Sequence, residues 1–239
     1  MSKNIHIFAQ ATDVAIAIAE KLNAKIEASN GNFNLAVSGG STPRLLFEVL
    51  SKNYAERINW KKMQLFWVDE RCVEPTHAES NFRMTYDSLL KSGLLSENQI
   101  FRMHGENTPT NETERYAEVL KQNLILKNNL PAFDMILLGI GDDGHTASIF
   151  PNQLHLLTTD AWVAVGTHPL SEQKRITLTG KTLNNATEIL FMVIGTNKAE
   201  VIKQIIRCEE AASNYPANFI RGNEKSTHYF MDNEAAHLL

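Results

Sequence analysis

The chain has 239 residues, 43% of them apolar, and a formal net charge of -4. That much apolar material supports a sizeable core and excludes collagen-like, disordered and disulfide-stapled classes. The 23 Lys and Arg are scattered among 27 Asp and Glu, which leaves no basic face for a nucleic acid backbone, so no nucleic acid partner is expected.

No apolar run approaches the ~20 residues that cross a bilayer, and the first ten residues lack a basic stretch followed by a sustained apolar core. A cytoplasmic protein without a membrane partner is therefore expected. Cys72 and Cys208 are the two cysteines, outside any Cys-x-x-Cys zinc spacing, and both are expected as free thiols. With no linker, charge block or repeat, residues 1–239 read as one α/β domain.

In chain order, an apolar run at 5–8 predicts a strand and the amphipathic stretch 11–28 a helix. The next strand, 34–38, runs into Gly39-Gly40-Ser41-Thr42-Pro43 and a helix over 43–50, with Thr42 as its expected cap and Pro43 as its first residue. Glycines there let an anion approach closely, and the helix N-terminus adds partial positive charge, so Gly39, Gly40, Ser41 and Thr42 make a candidate phosphate cradle.

Strand 63–68 is followed at once by Asp69-Glu70-Arg71. An isolated charge triplet is usually a solvated loop. At the end of a central strand, however, Arg71 would meet a phosphate or carboxylate and Asp69 would orient a substrate hydroxyl. Helices are predicted over 81–90 and 112–127.

Strand 133–138 leads into Gly139-Ile140-Gly141-Asp142-Asp143-Gly144-His145-Thr146-Ala147-Ser148, a formal GxGxxG. A dinucleotide site is rejected, because two adjacent carboxylates would repel a pyrophosphate and Pro151 arrives too soon for a crossover helix. What remains is a carboxylate–histidine pair. Asp143 lies two residues before His145 and is placed to bond one ring nitrogen, which leaves the other as a general base. A metal site from Asp142, Asp143 and His145 is the competing arrangement, and no second histidine at ligand spacing supports it.

Strands follow at 162–165, 176–179 and 189–194, and a helix over 198–208. Lys198 stands at that helix's start, where its charge opposes the helix dipole unless an anion binds. The alternation of strands and helices implies a mostly parallel sheet, whose ligand crevice lies beyond the strands' carboxyl ends.

Taken together, Gly39-Gly40-Ser41-Thr42-Pro43, Asp69-Glu70-Arg71-Cys72-Val73 with His77, Ser80 and Asn81, Asp143-Gly144-His145-Thr146-Ala147-Ser148, Arg175-Ile176-Thr177-Leu178-Thr179 and Asn197-Lys198-Ala199 resemble the 6-phosphogluconolactonase family. Its wider superfamily includes glucosamine-6-phosphate deaminase. The resemblance implies a single-domain, Rossmann-like, mostly parallel α/β fold with helices on both faces. It further implies no cofactor, no metal, and hydrolysis of a phosphorylated sugar lactone to 6-phosphogluconate.

By matching motif, His145 becomes the general base and Asp143 its partner. Ser41, Thr42, Arg71, Arg175 and Lys198 become phosphate or substrate contacts; for Arg175 the resemblance is the whole argument. The deaminase carries an acid where Phe150 stands and an aromatic where Arg71 stands. Deaminase activity and a non-catalytic sugar-phosphate sensor are the alternatives, and a monomer or small homo-oligomer is expected. Glu74 replaces a usual proline and His228-Tyr229-Phe230 a usual tryptophan, both away from the expected chemistry.

Overall fold

The computed structural model describes residues 4–222 and 226–239. β1 (Asn4–Phe8) leads to α1 (Ala11–Ala28), and β2 (Phe33–Val37) to α2 (Ser41–Asn53). Next come β3 (Met63–Trp67), the short β4 (Asp69–Arg71), α3 (Asn81–Ser88), β5 (Ile100–Phe101) and α4 (Pro109–Asn123). A small hairpin of β6 (Leu126–Lys127) and β7 (Leu130–Pro131) precedes β8 (Met135–Leu138). The chain finishes with β9 (Val163–Thr167), β10 (Lys174–Leu178), α5 (Gly180–Asn184), β11 (Glu188–Val193), α6 (Ala199–Arg207), β12 (Thr227–Asp232) and α7 (Asn233–Ala236).

Among the described residues, seven strands form one parallel sheet in the order β1-β12-β11-β8-β2-β3-β5. Beyond β2 the chain steps one way through β3 and β5, and beyond β8 the other way through β11 and β12. The direction of winding thus reverses between the neighbours β2 and β8. Right-handed crossovers place α1, α2 and α3 on one face and α4, α5 and α6 on the other; α1 packs on α2 and α2 on α3 accordingly.

Every residue of β8 and β11 is buried, as a strand covered on both faces requires. In α1 the buried residues Val14, Ala15, Ile18, Ala19, Leu22 and Ile26 recur at helical spacing, so a single stripe faces the sheet. These side chains belong to one continuous apolar core.

The strands at 162–165 and 176–179, expected within the mostly parallel sheet, instead join β4 in a separate antiparallel sheet of order β4-β10-β9. The reason is the connection: β9 and β10 are joined by residues 168–173, long enough for a hairpin and too short for a crossover. This sheet carries Asp69, Arg71 and Arg175 beside the carboxyl ends of the main strands. α4 opens at Pro109, three residues before its expected start, because proline suits the first helical turn. β12, which the sequence analysis leaves without a strand, pairs with both β1 and β11.

At the β1 edge, His6 Nε2 and His228 Nδ1 share a hydrogen bond of 3.0 Å, and the His6 ring stacks on Phe230 at 4.5 Å. Burial lowers the pKa of both imidazoles, and the charge of Lys21 acts in the same direction. Lys21 and Lys25 are themselves paired with Glu188, whose carboxylate opposes the shift at His228. A folded-state value below 6.5 means that the unfolded chain takes up protons first on acidification. The contribution of the neutral pair is therefore complete above pH 6.5 and lost as pH falls through the folded values. Thermal melts should show a Tm deficit developing below that pH in the wild type and a smaller one in His6→Phe, which keeps the half-buried His228.

Candidate active site

The winding reverses between β2 and β8, and the crevice at their carboxyl ends is where such sheets bind ligands. Ser38 stitches the two strand ends together, its N–H and its hydroxyl both donating to Leu137 O at 3.1 Å. The chain then passes Gly39, where an added Cβ would lie 1.8 Å from Asn81 Oδ1, so only glycine lets the Asn81 amide sit against the turn. Gly40 has φ 107°, a conformation that side chains disfavour, and nothing stands within 4 Å of where its Cβ would be.

That turn starts α2 at Ser41 with Gly40 as the cap residue, which corrects the expectation of a Thr42 cap and a first-position Pro43. Gly40 supplies no side-chain cap, among the described residues no side chain is seen bonding the Ser41 or Thr42 amide, and Ser41 and Thr42 line the open cleft. Unpaired N–H groups at a helix start form an anion-binding arrangement.

After β8, Asp143 Oδ1 accepts from His145 Nδ1 at 2.5 Å and from His145 N at 3.1 Å. An ionised carboxylate can only accept, so Nδ1 carries the proton and Nε2 keeps its lone pair. Burial pushes the Asp143 pKa up, but the hydrogen bonds and charge of His145 outweigh it and leave the carboxyl below its ordinary value. At Gly141 an added Cβ would lie 2.0 Å from His145 Nδ1, and Phe150 packs on the imidazole at 4.8 Å between ring centres. No crossover α-helix opens from this loop; a 3-10 turn at Pro151–Leu157 follows instead.

Asp142 points elsewhere, accepting from Asn197 Nδ2 at 2.9 Å and pairing with Lys198 Nζ. The hydrogen bond from Lys198 holds the Asp142 carboxyl below its usual range. The pairing takes Asp142 away from the Asp143–His145 unit and places the Lys198 ammonium on the cleft wall. It also offsets the charge that Lys198 brings to the start of α6.

The opposite wall is cationic. Arg71 and Arg175 lie directly opposite each other on β4 and β10, a placement that costs stability when nothing neutralises it. Arg71 Nη1 donates to Glu79 O, and the Arg175 guanidinium sits 5.6 Å from the Phe150 ring centre. The Nε of each is buried without a hydrogen-bond partner. Burial, and then the charge of Arg71, lowers the Arg175 pKa. The carboxylates of Asp69, Glu79 and Glu70 oppose that shift, and two guanidiniums on one wall, neither in a direct ion pair among the described residues, are suited to an anion.

Asp69 lines the cleft and is also bonded into the fold. It is 5% exposed, and its Oδ2 accepts from Ser148 Oγ at 2.7 Å while Asn81 Nδ2 donates to its main-chain O at 2.9 Å. It thereby ties the arginine wall to the His145 loop and to α3. Cys72 is a free thiol, and burial pushes it up to about 11, which leaves it unreactive at neutral pH.

One open cleft of about 290 Å³ is lined by Gly39, Gly40, Ser41, Thr42, Asp69, Arg71, His145, Arg175 and Lys198, with Asp143 behind the imidazole. Asn81, Thr146, Ala147 and Asn197 also line it. All four fall within the motifs quoted above, where they carry no assigned role of their own. Ala147 has φ 49°, a conformation that disfavours any residue with a Cβ, while Thr146 Oγ1 donates to Gly139 O at 2.9 Å. An imidazole with a fixed tautomer facing a cationic cradle suits general-base attack on an anionic substrate.

Among proteins of known sequence, a 6-phosphogluconolactonase from Treponema pallidum is 38% identical over 200 residues, covering 84% of this chain and 83% of the relative. One from Haemophilus influenzae is 37% identical over 211 residues, covering 88% and 89%. The solved 6-phosphogluconolactonase of Trypanosoma brucei superposes with a TM-score of 0.89 at 27% identity, over 100% of this chain and 99% of that one. A monomeric glucosamine-6-phosphate deaminase of the NagB superfamily shares the fold, with a TM-score of 0.84 at 18% identity over 99% and 100% of the two chains. The family model described as glucosamine-6-phosphate isomerases/6-phosphogluconolactonase matches residues 8–229, and the chain belongs to that family.

Proposed function

We propose that this protein hydrolyses 6-phospho-D-glucono-1,5-lactone to 6-phospho-D-gluconate, the lactone-opening step of the oxidative pentose phosphate pathway, with His145 activating the attacking water. The observation that carries this reading is the convergence of the Asp143–His145 pair, the Gly39–Thr42 turn and the arginine wall on one cleft. The relatives at 38% and 37% identity, both named 6-phosphogluconolactonase, supply the substrate.

In the reaction we envisage, the Gly40–Thr42 turn, Lys198 and the arginines hold the anionic substrate and bring its carbonyl to His145. Nε2 takes a proton from water as the oxygen bonds to C1, and the carbonyl oxygen becomes an alkoxide beside the guanidiniums. Collapse breaks the bond from C1 to the ring oxygen. The imidazolium returns its proton to that oxygen, and the acid so formed ionises. Asp143 keeps the ring oriented and stabilises its charged form throughout.

Phe150 is fully buried against His145, so the site offers no acid at that position for sugar isomerisation. A coupled assay with freshly generated lactone, corrected for spontaneous opening, tests the reading. Turnover is expected, whereas ammonia release from glucosamine 6-phosphate, or binding with no turnover of either substrate, would overturn it. We further propose that the chain works as one cytoplasmic unit without cofactor or metal, and full activity after exhaustive chelation is the expected result. Among the described residues no helix is long and apolar enough to cross a membrane.

A further inference from the structure

Glu70 is the one member of the charged triplet after β3 that faces away from the cleft. Its carboxylate is 2% exposed and accepts four hydrogen bonds: from Arg71 N at 2.7 Å, Asn81 N at 2.7 Å, Phe82 N at 2.8 Å and Ser80 Oγ at 3.1 Å. Two of these donors are first-turn amides of α3, so a side chain on β4 caps a helix that starts eleven residues later. The capped residue Asn81 is itself part of the cleft. Its Nδ2 donates to Asp69 O at 2.9 Å and its Oδ1 lies flush against Gly39. Asn81 also accepts at its main-chain O from Thr85 Oγ1 at 2.9 Å, so its position follows that of α3.

We infer that Glu70 is a positioning residue for anion binding: by fixing the start of α3 it seats Asn81 between Gly39 and Asp69, and so sets the phosphate turn against the arginine wall. Glu70 touches no substrate. It acts through a chain of contacts whose far end is Gly39, where a shift of a few tenths of an ångström alters how the first-turn amides of α2 meet an anion. Burial, and the nearby charge of Asp69, push its pKa up, while the three main-chain hydrogen bonds oppose that shift. The inference rests on the anion cradle but not on which lactone the enzyme opens.

The test is calorimetric titration of the full chain with inorganic phosphate. Glu70→Gln, which cannot accept from Asn81 and Phe82 together, should weaken phosphate binding about tenfold, the usual worth of one charge-assisted hydrogen bond. Ser80→Ala removes a donor to Glu70 and the Ser80 cap on Arg83 N, yet leaves Asn81 N bonded, so it lowers Tm while changing phosphate affinity less than about twofold. Glu70→Gln should also raise KM for the phosphorylated lactone with no change in turnover of unphosphorylated gluconolactone, a split that general loosening would not produce. If Glu70→Gln fails to fold, Glu70→Asp keeps the charge and decides, with weakened phosphate binding expected. Wild-type phosphate affinity in a folded Glu70 variant overturns the inference, and so does a wild-type protein that binds no phosphate. A wild type that binds phosphate without opening any lactone would overturn the proposed function alone.

Discussion

Replacing His145 by alanine is expected to lower kcat by about 10²–10⁴-fold while binding of 6-phosphogluconate changes by no more than a few-fold. The size follows from what general-base help contributes to attack by water, and the selectivity from the geometry. His145 faces the cleft with Nε2 free to take a proton, whereas the cationic and amide groups that would hold the phosphate stand on other elements. Asp143→Asn should change kcat in the same direction and by less, since it removes the charge that favours the imidazolium but leaves the ring in place. The coupled lactone assay on both variants, with isothermal titration of product, checks the pair. A His145→Ala protein that turns over at the wild-type rate would remove the histidine from the mechanism.

Arg175→Met should have the next largest effect, and it should fall on substrate binding and not on stability. One fewer guanidinium removes charge-assisted hydrogen bonds worth about 1.5–3 kcal/mol, so kcat/KM should fall by about 10–150-fold. Stability should hold or rise, because Arg71 and Arg175 are directly opposed without a bound anion and the Arg175 Nε is buried unbonded. Methionine keeps much of the packing on Phe150 and relieves the repulsion. Kinetics and thermal melts on the same preparation check both halves. A drop in Tm of many degrees would mean that the arginine pair serves the fold and not the ligand.

Much of the site was legible before the fold because parallel α/β sheets place their chemistry at strand ends. The glycine turn after β2, the triplet after β3 and the His145 loop after β8 each follow an apolar run, so chain position alone marked them. Strand direction is not written in periodicity. β9 and β10 have the composition of sheet strands, and only the short connection between them makes them antiparallel. β12 escaped because Thr227–Asp232 does not follow directly on the helix predicted over 198–208, so the simple alternation of strand and helix does not mark it.

Within the site, the parts not written in the local sequence are those settled by backbone geometry and by contacts between distant residues. Whether Thr42 or Gly40 begins α2 depends on the backbone at Gly40, whose φ is 107°. That Asp69 is also tied across the fold could not be read from its neighbours in sequence. Its partner Ser148 lies 79 residues away, and a hydrogen bond across that separation has no local signal. Asp142 and Asp143 are adjacent and chemically alike, yet one serves Lys198 and the other His145. The turn at Gly144, with φ 79°, lets the chain double back so that only the second acid reaches the imidazole.

The most direct test of the whole account is a crystal structure of the protein with 6-phosphogluconate bound. The phosphate should accept from the first-turn amides of α2, and the C1 carboxylate should lie within hydrogen-bond reach of His145 Nε2, about 2.6–3.2 Å. A product molecule seated with C1 remote from His145, or with its phosphate outside the Gly40–Thr42 turn, would contradict it.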